Sequence, residues 1–477
     1  MDSLIANGEN RPSPNDFINF LPWACNQFQM DSTIVIAKVL QNEYFGLALG
    51  HKDKKNRTTK QNVSRNELGS TDGKESSPNG LPENKNGHNK IYISAYCDPF
   101  GNLVEIKFDK NRQIPCLLLK IIALCIKYQN NLTRLTINSG MDKHTIYEMD
   151  KFLNITNITE ICLDNSFFPE ANYDLLLEGG NKIRYLSLAR CKINDTVMEN
   201  ISKKLIFPSP ASELLTVLIL ASNRITDKGI VFLADALRSN RKLSYISLAD
   251  NNLTDDGVSL ILNSLMEFSL TEDEIIRENR RHMHYLKEKR IMINYMIKEL
   301  RSGEYDKRDG KSKRKVFRPI SAVPSVKKGN LGKESSLKSL GDSKSNPNLD
   351  YLLYDKALNM VEEKLGEFND PFGVANTTVK YGIKYCHGNN TVAFLNLAYN
   401  NLSYISLKKL LSVLLYQKLF DRRPKGLVNL CVEGNNVPNS CKELSQIADL
   451  LEEGITSSVL RNAMHKKRAT SKMHSLK

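Results

Sequence analysis

His282 and His284 offer the nearest thing to a metal-binding pair in the chain. They fall in a stretch with helical periodicity. An i, i+2 spacing there turns the two rings to different faces, so a shared metal is not expected. Asp227, Asp255 and Asp256 sit in the first turns of predicted helices. Their charge suits the positive end of a helix dipole, which points to structure rather than proton transfer. The phosphate-loop spacing G-x-x-x-x-G-K-[ST] does not occur, nor does G-x-S-x-G or H-E-x-x-H. Nine cysteines include no C-x-x-C pair, which disfavours zinc and thioredoxin-type sites. They read as reduced, mostly buried thiols. No catalytic group, metal or cofactor is expected.

Two basic clusters are the other candidates for chemistry, Lys311, Lys313, Arg314 and Lys315, and Lys466, Lys467 and Arg468. The chain of 477 residues carries 67 Lys and Arg against 53 Asp and Glu, a net charge of +14. That charge is uneven. Residues 51–90 hold +4, 302–349 hold +7 and 455–477 hold +6, which leaves the rest at about −3. Basic runs of this kind could meet an acidic protein tail, such as tubulin's, an RNA or a nuclear import receptor. They lack the interleaved aromatics of single-strand binders, so solubilising segments are the blander reading and nucleic acid is disfavoured.

The elements that must position any site follow a repeat. The pattern L-x-x-L-x-L-x-x-N/C-x-L starts at 215, 243, 392 and 427 in near-complete form, and at 183 with Cys191 in the Asn position. Weaker copies start at 103, 132 and 158. In a strand the fourth and sixth positions face inward while the third and fifth face out. A short polar side chain at the ninth can satisfy the backbone where the chain turns. Thr226–Leu237 and Thr254–Leu265 then show apolar residues at helical spacing. This is the leucine-rich repeat of the ribonuclease-inhibitor-like kind. The expected fold is α/β: a horseshoe solenoid with parallel strands on the concave face, helices on the convex face, and a largely disordered insertion.

The expected organisation is an N-terminal cap or docking segment at 1–50, a disordered linker at 51–90 and six repeats at 91–270. A charged helix at 271–301 and a disordered basic linker at 302–349 follow. A helix and loop at 350–390, two repeats at 391–454 and a basic tail at 455–477 complete it. A helix is expected at Ile34–Phe45 after the cap candidate Asp31. Thr271 and Glu274 have capping-box spacing. The apolar positions 276, 283, 286, 293, 297 and 300 permit a short coiled coil or a helix folded back on its own solenoid.

The outward strand positions carry the functional expectation. The third template position reads Glu105, Arg134, Glu160, Tyr185, Val217, Tyr245, Phe394 and Asn429. The seventh includes Ala189, Ala221, Ala249 and Ala398. Tyr185, Val217, Ile219, Tyr245 and Phe394 are expected to form one uncharged partner-binding patch between charged ends. Aromatic anchors inside a polar rim suit a protein interface. The competing expectation is that the insertion or the N-terminal segment covers them.

The run from Val217 to Arg281 is similar to the corresponding block of the animal leucine-rich repeat-containing protein 71 family. That family also interrupts its repeats with a charged helix and a basic insert. The resemblance covers about residues 90–450. It implies no catalytic residues, and a scaffold of cilia or flagella as the setting. An apolar run long enough to span a membrane is missing, as is a recognisable export signal, so a cytoplasmic protein is expected. The rival expectations are a regulator of a small GTPase and a protein bound to nucleic acid through its basic linkers.

Overall fold

A computed structural model describes residues 11–40, 89–302, 347–420, 422–438 and 440–454. It contains two compact units, 1–268 with 387–477 and 269–386. The basic clusters at 311–315 and 466–468, and most of the two expected linkers, lie outside the described residues.

The larger unit is built on a ten-stranded sheet. Its strands, in order, are Ser32–Leu40, Asn89–Cys97, Leu103–Phe108, Arg134–Ile137, Glu160–Cys162, Tyr185–Ser187, Val217–Ile219, Tyr245–Ser247, Phe394–Asn396 and Asn429–Cys431. From Leu103–Phe108 onward all pairings are parallel. Helices such as Asp195–Leu205, Asp227–Ser239, Asp255–Ser264 and Tyr404–Leu419 alternate with these strands. Parallel strands need crossovers, and the helices supply them. Leu186, Leu188, Leu218, Leu220, Ile246, Leu248, Leu395 and Leu397 are all fully buried, as the template requires. They join one continuous hydrophobic core.

Asparagine holds each turn to the next. Asn251 Nδ2 donates to the carbonyls of Leu220, Leu248 and Ala249, at 3.0, 3.1 and 3.2 Å. Its Oδ1 accepts from the Ile225 amide. Asn223, Asn400 and Asn435 repeat the arrangement one repeat apart. A second ladder runs along the helix starts. Asp195 accepts from the amide and hydroxyl of Thr226. Asp227 accepts from those of Thr254, and Asp255 from those of Ser403. The helical glycines belong to this ladder, since a Cβ on Gly257 would sit 2.1 Å from Asp227 Oδ1. Ser406 takes the glycine's place in the next repeat and donates its hydroxyl to Asp255 instead.

Both ladders pass straight over the interruption. Tyr245 pairs in register with Phe394 and Ile246 with Leu395. Asn400 Nδ2 reaches the Leu248 carbonyl at 3.0 Å. The last two repeats therefore resume the same solenoid.

The helical layer is thinner between the strands Glu160–Cys162 and Tyr185–Ser187. The repeat starts at 158 and 183 are only 25 residues apart, and the crossover holds a five-residue 3-10 helix, Tyr173–Leu177. Tyr173 stays buried by donating its hydroxyl to the Ser166 carbonyl.

The N-terminal end corrects the sequence expectation. Residues 34–40 belong to a strand, not to a helix starting after Asp31. Ser32–Leu40 is rich in β-branched side chains, which suit a pleated surface better than a helix. It pairs in parallel with Asn89–Cys97, setting Ile34 beside Ile91 and Ile36 beside Ile93. The helix lies upstream, at Phe17–Gln27, and buries Phe17, Phe20, Leu21, Ala24 and Cys25. Asp16 is its cap, accepting from the Asn19 amide. Asn89–Cys97 then runs antiparallel to Leu103–Phe108, so the sheet is not parallel throughout. Asp98 makes that reversal by accepting from the amides of Phe100 and Asn102.

The smaller unit is a helical hairpin followed by a β-hairpin. The expected capping box is present, with Thr271 and Glu274 bonded both ways at 2.8 and 3.2 Å. Helix Glu272–Ser302 packs Ile293 and Met296 against Ala357 and Val361 of helix Pro347–Leu365. Arg301–Asp350, Lys289–Glu362 and Arg281–Asp370 pairs fix an antiparallel arrangement. The apolar positions 293, 297 and 300 thus find a partner that neither sequence alternative named. Thr377–Lys380 and Ile383–Cys386 pair antiparallel around Tyr381 and Gly382, both with positive φ.

Replacing Asn251 by Ala should lower stability by about 2–4 kcal/mol, because three carbonyls and one amide lose a buried partner. A shift in the urea midpoint at unchanged slope is the expected readout.

Candidate functional site

Strand register decides which outward side chains are neighbours. Glu105, Arg134, Glu160, Tyr185, Val217, Tyr245, Phe394 and Asn429 are successive partners in one row across the sheet. Four of the five expected patch residues, Tyr185, Val217, Tyr245 and Phe394, are adjacent there. Ile219 lies in the next outward row, between Ser187 and Ser247. All five are half-buried. The Tyr245 and Phe394 rings stack at 4.0 Å with an interplanar angle of 7°. Ring contacts of this kind contribute about 0.5–1.5 kcal/mol beyond the area they bury. It also joins two side chains separated by the whole insertion in sequence.

The two ends of the row differ. At the N-terminal end Arg134 bridges two carboxylates. Its guanidinium lies 2.5 Å from Glu160 and 3.7 Å from Glu105. Glu105 is buried and also accepts from the Thr136 hydroxyl at 2.7 Å. Asp164 accepts from the Ser187 hydroxyl and the Ala189 amide. These charges satisfy one another. Burial, then Cys162 and Asp164 nearby, push the Tyr185 phenol up to about 12. Tyr185 therefore meets a ligand as a neutral hydroxyl. Burial also raises the Tyr245 phenol.

Toward the C-terminal end the seventh and eighth template positions form the edge of the face. The seventh is small, with Ala221, Ala249 and Ala398, and then Glu433. The eighth is left-handed in repeat after repeat: Asn165, Arg190, Ser222, Asp250, Tyr399 and Gly434 all have positive φ. Tyr399 is 62% exposed, large for a residue in that conformation. Its ring lies over Gly434, where a Cβ would be 2.3 Å from the ring. Sequence reasoning missed Tyr399 and Asp250. Their signal was the eighth position, which carries no apolar period and stands out only through backbone conformation.

Asp227, Asp255, His282 and His284 have structural partners, and Asp256 is exposed. Burial pushes the Asp255 carboxyl up, but hydrogen bonds from Ser403 and Ser406 outweigh it and hold it below the usual range. Asp227 is bound by Thr254. His282 stacks on Phe368 at 4.8 Å, and His284 lies 3.6 Å from Glu288. Among the described residues no group of three or more His, Cys, Asp or Glu side chains could hold a metal ion. A cavity of about 680 Å³ at the N-terminal end is lined by Asn15, Lys38, Asn102 and Gln129 among others. Cys97 and Lys38 both line it, and burial pushes the Cys97 thiol up against the lowering effect of Lys38.

A family model described as Leucine Rich repeat matches residues 211–234 and 239–262. These segments hold the strands Val217–Ile219 and Tyr245–Ser247 with most of the helices that follow them. The chain thus carries leucine-rich repeats, and the repeating strand–helix architecture extends that pattern along the larger unit. A search of curated proteins returns no match. Among the described residues no helix is long and apolar enough to cross a membrane.

All nine cysteines are free. Burial pushes the thiols of Cys25, Cys125 and Cys191 up to about 12. Alkylation of the native chain at pH 8 should reach Cys116, Cys431 and Cys441 well before these three, and before Cys162, whose thiol burial pushes up to about 11. The raised values also set a pH dependence. The unfolded thiols ionise near 8.5 while the folded ones stay protonated, so stability should fall as pH rises from about 9 toward 12. Urea midpoints across that range give the check.

Proposed function

We propose that this chain is a non-enzymatic scaffold that grips a protein partner on the concave face of its leucine-rich repeats. The observation that carries the reading is the row Tyr185, Val217, Tyr245 and Phe394, in register, half-exposed and ending in a stacked aromatic pair. Leucine-rich repeats in general present such a face for protein contact, and two matched repeats form its centre. Buried aromatics at the middle of an interface supply much of its energy, while the surrounding small residues exclude water. Asparagine ladders keep the row rigid, so little ordering is needed on binding.

The similarity to the leucine-rich repeat-containing protein 71 family supports a finer version. In it the chain is cytoplasmic and works as a structural adaptor on the microtubule-based core of a cilium or flagellum. The charged helix Glu272–Ser302 that interrupts the repeats is in keeping with the charged-helix interruption which that resemblance implies. Proximity labelling in ciliated cells should enrich axonemal proteins, and an equal profile in non-ciliated cells would remove this setting.

Tyr245→Asp and Phe394→Asp place a charge in the aromatic stack. Each should weaken partner binding about thirtyfold or more, the scale of an interface hot spot. Thermal melting should show the chain still folded, because both side chains are only half-buried. Unchanged recovery of cross-linked partners by both variants would place the interface elsewhere.

A further inference from the structure

The concave face is electrically lopsided. Its N-terminal end holds Arg134 and Lys107 among carboxylates that they pair with. Its C-terminal half is different. In the four repeats from Thr216 to Gly434, the outward template positions include the exposed carboxylates Asp250 and Glu433 and no Lys or Arg. Among the described residues neither carboxylate has an ion-pair partner.

Those carboxylates border a trough. One wall is the Tyr245–Phe394 stack at the third position. The floor is made of small side chains at the fifth and seventh positions, Ser247, Asn396, Ala249 and Ala398. Asn396 Oδ1 accepts from the Ala398 amide at 3.0 Å, which fixes the side-chain amide on that floor. The far edge is the eighth position, where Asp250 and Tyr399 follow one another in adjacent repeats. The Asp250 amide donates to the Ala398 carbonyl, and the Tyr399 amide to the Glu433 carbonyl, which holds these edge residues side by side.

We infer that this trough binds an extended segment of a partner protein carrying arginine or lysine. The inference rests on the concave-face reading above and adds the partner's chemistry. Charge complementarity selects the sign, because two carboxylates without a cation border the trough. The Tyr399 ring on the far edge, 62% exposed, selects the same class of side chain, since a guanidinium or ammonium is attracted to a ring face. A small-residue floor leaves depth for a long, thin side chain between wall and edge. Arginine fits best, because its planar fork can meet a carboxylate while its face lies on a ring. An acidic segment would bring like charges together, and a bulky apolar one would leave Asp250 and Glu433 without a counter-charge.

The test is selection of phage-displayed random 12-residue peptides on the immobilised full chain. It is repeated with Phe394→Ala and with the double variant Asp250→Asn, Glu433→Gln. These two carboxylates are exposed, so the double variant should melt like the native chain. The expected result is enrichment of peptides with net positive charge. A synthetic copy of the enriched sequence should bind about tenfold or more weakly to the double variant, and its affinity should fall with added salt. Enrichment of neutral or acidic peptides that still need Phe394 would overturn the basic-segment inference and leave concave binding standing. Enrichment indifferent to Phe394 would overturn both. If basic peptides bind only after Lys466, Lys467 and Arg468 are changed to Gln, the trough belongs to the chain's own tail, and the partner inference fails.

Discussion

A buried asparagine amide with every hydrogen-bonding group satisfied is the interaction on which this architecture depends. Each strand of a short parallel sheet ends after three residues or so, and its backbone must turn away from its neighbours. The carbonyls and amides at that turn lie under the core, where an unpaired group is expensive. Asn223, Asn251, Asn400 and Asn435 satisfy these groups and at the same time bond the preceding turn. The aspartate–hydroxyl ladder does the same at the helix starts. Neighbouring repeats are locked at two points, which gives the outward rows a constant spacing.

This local locking explains how the solenoid tolerates a long interruption. Each repeat contacts its neighbours rather than distant ones, as in repeat proteins generally. What Tyr245–Ser247 needs is a following strand with the right register, a buried Leu395 and an asparagine at 400. It does not need that strand to be next in sequence. The inserted unit meets its own needs through a small apolar core and cross-helix ion pairs.

The ends of a solenoid have no neighbour to lock against. At the N-terminus the amphipathic helix Phe17–Gln27 and two nine-residue strands cover the first repeat. The reversal of direction between Asn89–Cys97 and Leu103–Phe108 marks where capping structure gives way to repeats. Between the ends the outward face changes from self-paired charge to aromatic and small residues bordered by carboxylates.

Much of this was legible in the sequence, because the repeat constrains residue type at fixed spacing. Leucines at the fourth and sixth positions and asparagine at the ninth reveal strand, core and turn. The alternation of a strand then names the outward rows, so the patch from Tyr185 to Phe394 could be written down in advance. Where the spacing weakens, so did the reading. Ser32–Leu40 stands alone as a short apolar run, and only its pairing with Asn89–Cys97 made it a strand. The partner of the Glu272–Ser302 helix, Pro347–Leu365, is distant in sequence, a contact that periodicity does not carry. Tertiary structure alone put Tyr245 against Phe394 at 4.0 Å and set Asp250 and Tyr399 along one edge. The physical reason is that side-chain period is a property of one strand, whereas the neighbour across a parallel sheet is chosen by packing between repeats.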